Sequence, residues 1–307
     1  MKKKMDKEMV EIQGENVNMT KQEFAELTKQ KRMILDGATG SNLTKAGMPK
    51  GACTEVWALE HPETVIALQR GYIEAGSDIV YAPTFGANRA SLKRFGLEDR
   101  LQELNHKLVQ ISKAAADGKT LVAGDITTIG YPVTDEGELS YENRVALYQE
   151  QITCLRDAGV DLLIGETLLG GDEAMAILDA AATVCDLPVM CTLTVESDGS
   201  CYFGGNVIDI AVNLEAMGAA AVGINCSCGP DQLECIIRNL RARVGVPVIV
   251  KPNAGLPIIN EKGEAVYPME PEEFAQHMKG LIEAGAGIVG GCCGTDARFI
   301  RELKKLK

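Results

Sequence analysis

One pattern, repeated four times along the 307-residue chain, limits the fold more than any other feature. A helical segment ends at a glycine, and a short apolar run follows at once: EAGSDIVYAPT from Glu74, DAGVDLLIGET from Asp157, AMGAAAVGINC from Ala216 and EAGAGIVGGCC from Glu283. Glycine is the most frequent residue just past a helix C-terminus. Runs that are apolar on both faces are typical of buried parallel strands. The repeat therefore predicts helix–strand units that pack into a parallel sheet.

Four further apolar runs complete the set of strands, at residues 33–37, 120–126, 188–195 and 247–255. Amphipathic helical patterns lie between the strands, at about residues 62–75, 97–116, 141–158, 172–184, 206–217, 230–243, 271–284 and 296–306. Eight strands alternating with eight helices predict an α/β protein of the (β/α)8 TIM-barrel type. A doubly wound open sheet is disfavoured, because DGATGSNL after the first strand lacks the glycine pattern of that fold.

The chain divides into an N-terminal extension, residues 1–31, and the barrel, residues 32–307. We expect about the first 20 residues to be flexible or loosely docked, because they show no helical or strand pattern. The sequence TKQE, from Thr20 to Glu23, has the form of a capping box. It predicts a short helix that ends near Lys31.

Composition excludes several classes of function. The net charge of −12 and the pI near 4.9 argue against a nucleic-acid-binding protein, which normally carries a basic face. No apolar run approaches the ~18 residues that span a bilayer, and the lysine-rich N-terminus lacks the apolar segment of a signal peptide. We therefore expect a cytoplasmic protein without membrane partners, whose ten cysteines are mostly reduced.

The repeat also identifies the residues at the C-terminal ends of the strands, where barrels of this type carry their chemistry. The seventh and eighth residues after the leading glycines are Pro83, Thr84, Glu166, Thr167, Asn225, Cys226, Cys292 and Cys293. Cys226 follows the sixth strand, and the adjacent Cys292 and Cys293 follow the eighth. Because alternate strands contribute side chains to one layer of a barrel, these three thiols are expected to converge.

Three converging thiolates without a nearby histidine indicate a zinc site. Structural zinc sites use four protein ligands, whereas catalytic sites use three and leave a fourth position for water or substrate. Cys228, two residues beyond Cys226, is an alternative fourth ligand. The competing interpretation, buried or redox thiols, is the better one for the cysteines on predicted helices and strand interiors, Cys154, Cys185, Cys191 and Cys235, while Cys53 and Cys201 stay unassigned.

Six motifs, ILDGATGSNL, TFGANR, GETL, INCSCGP, KPNAGLP and GGCCGT, together resemble the homocysteine S-methyltransferase family, from about Met33 to the end of the chain. That family includes the homocysteine-binding barrel of cobalamin-dependent methionine synthase and betaine–homocysteine methyltransferase. The resemblance implies that zinc binds Cys226, Cys292 and Cys293 and that its open position takes the sulfur of homocysteine. A thiol bound to zinc is deprotonated, and displacement by this nucleophile on the donor's methyl group gives methionine.

The same resemblance implies how the amino-acid part of homocysteine is bound. Glu166, in the GET motif, is expected to bind the ammonium group, and Asp36, in the DG motif, to bind or position the amino acid. Backbone amides near Gly37 are candidates for the carboxylate. Thr84 and Asn225 are either further substrate contacts or part of the hydrogen-bonding scaffold.

The methyl donor is the open part of the predicted reaction. The third strand ends in AGDITTIGYP, where the family commonly has AGSIGP or AGGVS, so Asp125 and Tyr131 are donor-side candidates. Asp125 would favour a cationic donor such as betaine or a sulfonium, although no aromatic cage for betaine is evident. Since only a closing helix follows the cysteine pair, we expect a methylcobalamin or related methylcorrinoid on a separate protein, with methylfolate as another alternative.

Three other functions remain as alternatives. The first is a zinc methyltransferase with a different thiol acceptor, which Glu166 disfavours because it suits an amino group. The second is a Schiff-base aldolase that uses Lys251 at the end of the seventh strand, although an ordinary loop lysine is the better interpretation. The third is a non-catalytic, zinc-binding docking partner of a corrinoid protein.

Overall fold

The computed structural model describes residues 19–132, 134, 136–137, 139–261 and 265–306. The predicted flexibility of the N-terminal segment concerns almost entirely residues 1–18, which lie outside the described residues. The strands are β1 Met33–Ile34, β2 Ile79–Tyr81, β3 Leu121–Thr127, β4 Leu162–Leu168, β5 Val189–Leu193, β6 Ala221–Asn225, β7 Val248–Lys251, β8 Ile258–Ile259, β9 Ala265–Val266 and β10 Ala286–Val289.

The helices are α1 Lys21–Gln30, α2 Gly40–Lys45, α3 Thr54–Glu60, α4 Pro62–Ala75, α5 Arg89–Lys93, α6 Leu101–Ala116, α7 Tyr141–Ala158, α8 Gly171–Val184, α9 Val207–Ala216, α10 Glu234–Arg243, α11 Pro271–Glu283 and α12 Ala297–Lys304. All eight helices predicted for the barrel are present, with bounds that differ from the prediction by no more than a few residues. Three short helices, α2, α3 and α5, and the antiparallel hairpin β8–β9 were not predicted. None of the described helices is long and apolar enough to cross a membrane.

Eight strands form one parallel sheet in the order β1-β10-β7-β6-β5-β4-β3-β2, which is the order of a (β/α)8 barrel. The two outermost strands of this order, β1 and β2, meet through Asp78. Its backbone N–H donates to the Ile34 carbonyl (2.7 Å), and its Oδ2 accepts the Ile34 N–H (2.8 Å). Farther along, Asp36 Oδ2 accepts the Tyr81 N–H (2.8 Å). Carboxylates thus replace part of the backbone ladder, and the sheet closes into the predicted barrel.

Apolar side chains fill the barrel interior and the layer between strands and helices. The interior cluster takes residues from every barrel strand, for example Leu35, Ile164, Met190 and Ile249, all fully buried. A second and larger cluster joins the outer faces of the strands to the surrounding helices. This is the packed interior expected of a TIM barrel, which leaves room for a cavity only at its end.

Helix α1 covers one end of the barrel. Thr20 and Glu23 form the predicted capping box, in which Thr20 Oγ1 accepts the Glu23 N–H (3.1 Å) and Glu23 Oε2 accepts the Thr20 N–H (2.8 Å). Phe24 on this helix is fully buried and belongs to the interior cluster of the barrel. Because α1 directly precedes β1, it lies at the N-terminal end of the strands, opposite the end where the cysteines were predicted.

Candidate metal centre and substrate cavity

Three cysteines converge at the C-terminal end of the barrel, as the strand repeat predicts. The sulfur atoms of Cys226, Cys292 and Cys293 all lie within 4.8 Å of one another, and Cys226 Sγ is 3.6 Å from Cys293 Sγ. In a tetrahedral zinc site with bonds of about 2.3 Å, two sulfurs are roughly 3.8 Å apart. The observed spacing therefore fits a shared metal ion of that kind.

The backbone at Cys226 turns its sulfur into this cluster. Cys226 directly follows β6 and has a φ of +52°, in the left-handed region that L residues with side chains rarely adopt. Such strained positions persist only where surrounding contacts hold them, and they concentrate at functional sites. Here the Cys226 N–H donates to the Lys251 carbonyl on the adjacent β7 (3.2 Å).

Backbone contacts from the segment after β7 hold the adjacent pair. The Cys292 N–H donates to the Pro252 carbonyl (2.7 Å), and the Cys293 N–H donates to Asn253 Oδ1 (3.1 Å). Gly294 follows with a φ of +85°, and a Cβ there would lie 2.4 Å from the Cβ of Tyr267. The glycine is thus required both by the turn and by the close approach of a tyrosine to the cysteines.

Cys228 lies apart from the cluster of three sulfurs. It is buried in the large apolar layer between strands and helices. Among the residues that the structure describes, the group able to share one metal ion consists of Cys226, Cys292 and Cys293 alone. The positions of these cysteines therefore favour a metal site with three protein ligands over a site with four.

The close sulfurs influence one another's ionisation. The neighbouring Cys226 and Cys292 lower the pKa of the Cys293 thiol, whereas Cys226 and Cys293, together with burial, raise the pKa of Cys292. A divalent cation releases such thiol protons when it binds, because thiolates are the ligands.

A cavity of about 290 Å³ opens beside the cysteines. Its walls include all three cysteines and the carboxylates of Glu166, Asp125 and Glu55, together with Lys251, Tyr81, Pro83, Phe85, Thr167 and the loop from Ala38 to Ser41. Gly37 itself lies behind this wall, since a Cβ there would be 2.6 Å from the Tyr72 ring. The backbone amides nearest to the cavity are thus those that follow Gly37.

A buried ammonium group lies between two of the carboxylates. Lys251 Nζ is 3.4 Å from Asp36 Oδ1, 3.8 Å from Glu166 Oε2 and 4.8 Å from the centre of the Tyr81 ring. Burial raises the pKa of Asp36 and of Glu166, against the opposing effect of Lys251. Burial alone would lower the pKa of Lys251, but Glu166 and Asp36 raise it well above its usual value.

Lys251 is the main correction to the sequence analysis of this site. It was interpreted as an ordinary loop lysine, but it ends β7 and is 3% exposed within the cavity wall. A Schiff-base lysine needs a lowered pKa to be nucleophilic, whereas the neighbouring carboxylates keep Lys251 protonated. The position of Lys251 therefore argues against the aldolase alternative.

Two of the predicted site residues, Asn225 and Thr84, are buried scaffold rather than cavity wall. Asn225 Oδ1 accepts the Thr167 N–H (2.8 Å), and Asn225 Nδ2 donates to Thr167 Oγ1 (2.8 Å) and Glu166 Oε2 (3.4 Å). Thr167 has a φ of +58°, so these bonds hold a strained residue next to Glu166. Thr84 Oγ1 accepts the Asp125 N–H (3.0 Å) and donates to the Asp125 carbonyl (2.9 Å), which joins β3 to the end of β2.

The two donor-side candidates, Asp125 and Tyr131, are separated by the structure. Asp125 is buried in the cavity wall, and its Oδ1 has no hydrogen-bond partner among the described residues. Burial and the charge of Glu166 raise the pKa of Asp125. Tyr131 is 53% exposed and faces a separate outer groove, where the Arg94 guanidinium lies 5.9 Å from its ring centre. Only Asp125 faces the interior.

Comparison with known proteins agrees with the resemblance found in the motifs. The family model for homocysteine S-methyltransferase matches residues 33–306. The chain is 31% identical to proteins named methionine synthase from Mycobacterium tuberculosis (strain ATCC 25618 / H37Rv) and Mycobacterium leprae (strain TN), over 304 residues in each case. The match covers 92% of this chain but 25% of each relative, so the chain spans about a quarter of their length.

Solved structures confirm the fold. The oxidized and metallated forms of the homocysteine methyltransferase MmuM from Escherichia coli superpose with TM-scores of 0.77 and 0.76 at 24% sequence identity. The alignments cover 92% of this chain and 98% and 99% of MmuM, respectively. The predicted (β/α)8 barrel is therefore confirmed both by the strand order and by this similarity.

Proposed function

The chain belongs to the homocysteine S-methyltransferase family, and we propose that it methylates the sulfur of homocysteine to give methionine at a zinc site formed by Cys226, Cys292 and Cys293. The observation that carries this proposal is the convergence of three sulfurs within 4.8 Å on the wall of a small cavity that also holds carboxylates. Three protein ligands fit a catalytic zinc site with one exchangeable position. The metallated form of MmuM, a structure of the same fold, is consistent with a metal in this chain.

Zinc bound there would supply the acceptor as a thiolate at neutral pH, which a free thiol mostly is not. The three cysteines would hold the metal at the cavity wall, and the substrate sulfur and the donor would then meet inside the cavity. The strained backbone at Cys226 and the Asn253 contact to Cys293 fix two of the sulfurs in advance. Such preorganisation reduces the entropy that is lost when the reacting groups reach the transition-state geometry.

The Glu166 carboxylate next to Lys251 would bind the acceptor's ammonium group, and Asp36 would position Lys251 beside it. Glu166 faces the cavity. The Asn225 side chain on β6 donates to Glu166 Oε2 and so fixes the orientation of the Glu166 carboxylate. Asp36 is held by the Tyr81 N–H and stands behind Lys251. The amides of Thr39, Gly40 and Ser41, at the start of α2, would receive the carboxylate, since the Ala38 N–H already donates to Thr295 Oγ1.

Two features of the mouth bear on the methyl donor. Exposed apolar side chains come from the loops that follow β2, β5 and β7, at the same end of the barrel as the cysteines: Phe85, Tyr202, Leu256, Ile258 and Ile259. An exposed apolar rim is typical of an interaction surface, and it supports a methylcorrinoid donor that is carried on a separate protein. The buried Asp125 carboxylate, without a partner for its Oδ1, instead supports a small cationic donor such as a sulfonium.

The experiment that tests the function compares these donors. Zinc-loaded protein is mixed with methylcobalamin or with S-methylmethionine, with and without homocysteine, and methionine formation and cobalt demethylation are followed. We expect homocysteine-dependent transfer, with zinc at one per chain, and loss of both zinc and transfer in Cys292→Ala. The matched control is Cys235→Ala, which changes an exposed cysteine on α10.

Transfer from methylcobalamin would identify a corrinoid as the donor class. Transfer from S-methylmethionine alone would identify a cationic donor. Loss of that transfer in Asp125→Asn would show that the Asp125 carboxylate recognises the donor's positive charge. Methyl transfer that does not depend on homocysteine would contradict the proposal, whereas no transfer from either donor would exclude both donor classes and leave a methylfolate as the donor to test. Full zinc retention with activity in Cys292→Ala would exclude the assigned metal site.

A further inference from the structure

The ammonium group of Lys251 carries more hydrogen-bond donors than its two carboxylate neighbours can use. An ammonium has three N–H donors, and Asp36 and Glu166 occupy at most two of them. The distances from Nζ, 3.4 Å to Asp36 Oδ1 and 3.8 Å to Glu166 Oε2, exceed the length of about 2.7–2.9 Å that is usual for charge-assisted hydrogen bonds. The Tyr81 ring, whose centre is 4.8 Å from Nζ, attracts the charge through its π-face but is not a carboxylate-like acceptor. The buried ammonium can therefore donate to a further acceptor in the cavity.

The sheet places this ammonium beside the cysteines. Strand β7 lies between β6 and β10, the two strands that the cysteines follow. Lys251 is the last residue of β7 and lines the same cavity as all three cysteines. Its stem passes Gly290, where an added Cβ would lie 3.3 Å from Lys251 Cγ. The fold thus holds one cation at the part of the cavity where the substrate sulfur would lie.

The separation between Lys251 and Glu166 matches that between the charged ends of an amino acid. Nζ and Oε2 are 3.8 Å apart, and standard bond lengths put the ammonium nitrogen of an amino acid roughly 3 Å from its carboxylate oxygens. A zwitterion can therefore lie against this pair, with its ammonium on Glu166 and its carboxylate on Lys251. Opposite charges then meet at both ends, as buried ions require.

We propose that Lys251 is a substrate-binding residue that donates a hydrogen bond to the carboxylate of the amino-acid acceptor, beside the amides at the start of α2. The inference rests on the proposed function, because it takes the acceptor to be an amino acid. An aminothiol without a carboxylate would meet Lys251 as a like charge near Glu166, which is unfavourable. Lys251 therefore selects α-amino acids over simple amines.

The test measures ligand binding by isothermal titration calorimetry on the full-length protein, with and without zinc. One ligand is methionine, and the other is 3-methylthiopropylamine, which is methionine without its carboxylate. In wild type we expect methionine to bind more tightly than the amine. In Lys251→Met the ratio of the two dissociation constants should shift in favour of the amine by about 10- to 150-fold, the range for one hydrogen bond to a charged group. The amine itself should bind as well as before or better, because a competing cation has been removed.

Two further variants complete the experiment. Lys113→Met changes a lysine that donates to the Gly159 carbonyl, outside the cavity, and should leave the ratio at its wild-type value. The double variant Lys251→Met with Asp36→Asn removes one cation and one anion together. It keeps the charge balance of the wall, so it tests the same contact if the single variant is unstable, and it should show the same shift. Thermal unfolding establishes that each variant is folded.

The outcomes separate this inference from the proposed function. An unchanged ratio in the folded Lys251 variants, whether both ligands lose affinity or neither does, would overturn the role of Lys251 and leave the carboxylate to the α2 amides. Wild-type protein that binds methionine no better than the amine would overturn it as well. The expected shift in ratio, in a protein that does not methylate homocysteine, would establish the contact of Lys251 with the carboxylate and contradict the proposed reaction.

Discussion

At the scale of single residues, the cavity is organised around the ammonium group of Lys251. This group contacts Asp36 and Glu166, and all three side chains are largely removed from water. Buried ions are costly unless they are paired, so the position of each depends on the other two. The cavity wall also holds the carboxyl groups of Asp125 and Glu55, so the site brings together more carboxyl groups than cations, and we expect it to favour the ammonium group of an amino-acid substrate.

Replacing Glu166 with Gln should weaken homocysteine binding and leave the metal in place. A hydrogen bond to a charged group contributes about 1.5–3 kcal/mol, so we expect the KM for homocysteine to rise by about 10- to 150-fold. The same substitution should have little effect on 4-mercaptobutyrate, a thiol that lacks the amino group. Steady-state kinetics with both thiols, together with zinc analysis, measure this. Glu234→Gln, which removes an exposed partner of Arg238 on α10, serves as the control.

An equal loss for both thiols in Glu166→Gln would show that this carboxylate does not recognise the amino group. Loss of zinc would instead place Glu166 on the metal. The two measurements therefore distinguish the ammonium role from a general effect on the site.

The cysteines of this site follow from the sequence, whereas Lys251 and Tyr267 do not. Cys226 and Cys293 are the eighth residues after the leading glycines of their repeats and Cys292 is the seventh, so the barrel topology brings the three to one level. The pKa of Lys251 is raised by Glu166 on β4 and by Asp36 after β1, both in distant parts of the sequence. Tyr267 lies against Gly294, the residue after the cysteine pair, because the chain folds back there after the hairpin β8–β9. Contacts of this kind are set by tertiary geometry, for which local patterns carry no information.

At the scale of the elements, the loop after β3 is held by a buried ion pair. Arg144 on α7 and Glu173 on α8 are almost completely buried and pair at 2.5 Å. Arg144 also donates to the Tyr131 carbonyl (2.9 Å), and Thr128 Oγ1 donates to Glu173 Oε1 (2.7 Å). The pair therefore joins two helices to the loop that begins three residues beyond Asp125, at Thr128.

Replacing Arg144 with Met should destabilise the protein strongly. Removal of one partner leaves a buried carboxylate without compensation, which costs about 3–5 kcal/mol in the free energy of unfolding. Urea denaturation of the variant and wild type measures this difference. The double variant Arg144→Met with Glu173→Leu should recover most of the loss, because no unpaired charge remains. A loss below about 1 kcal/mol in the single variant would mean that water or another group compensates Glu173.

The elements that the sequence predicted are those whose hydrophobic periodicity extends over many residues. Each barrel helix has an amphipathic pattern, and several end at a glycine with positive φ, such as Gly76 and Gly159. The helices that were missed, α2, α3 and α5, have 6, 7 and 5 residues. Isolated helices of this length are unstable in water, so these form because tertiary contacts hold them, and their sequences carry little periodicity.

At the scale of the whole molecule, one end of the barrel is closed by apolar packing and the other end opens into the cavity. The end covered by α1 is closed by Phe24 and the apolar interior around Met33, Ile79 and Ile249. The opposite end carries the cysteines, the cavity and the exposed apolar rim. In TIM barrels the C-terminal face of the strands carries activity and the N-terminal face carries stability. The division into an extension, residues 1–31, and a barrel remains a prediction, and α1 gives it a physical test.

Replacing Phe24 with Ala should reduce stability without altering the site. Loss of a fully buried phenylalanine costs about 3–5 kcal/mol in the free energy of unfolding, which urea denaturation measures. The KM for homocysteine and the charge-transfer band of the protein loaded with cobalt(II), a spectroscopic substitute for zinc, should match wild type at temperatures where both proteins are folded. Phe95→Ala, at a 48% exposed position, is the control and should change stability by less than about 0.5 kcal/mol. If Phe24→Ala alters the cobalt spectrum instead, the packed interior transmits strain from one end to the other, and the extension belongs functionally to the barrel.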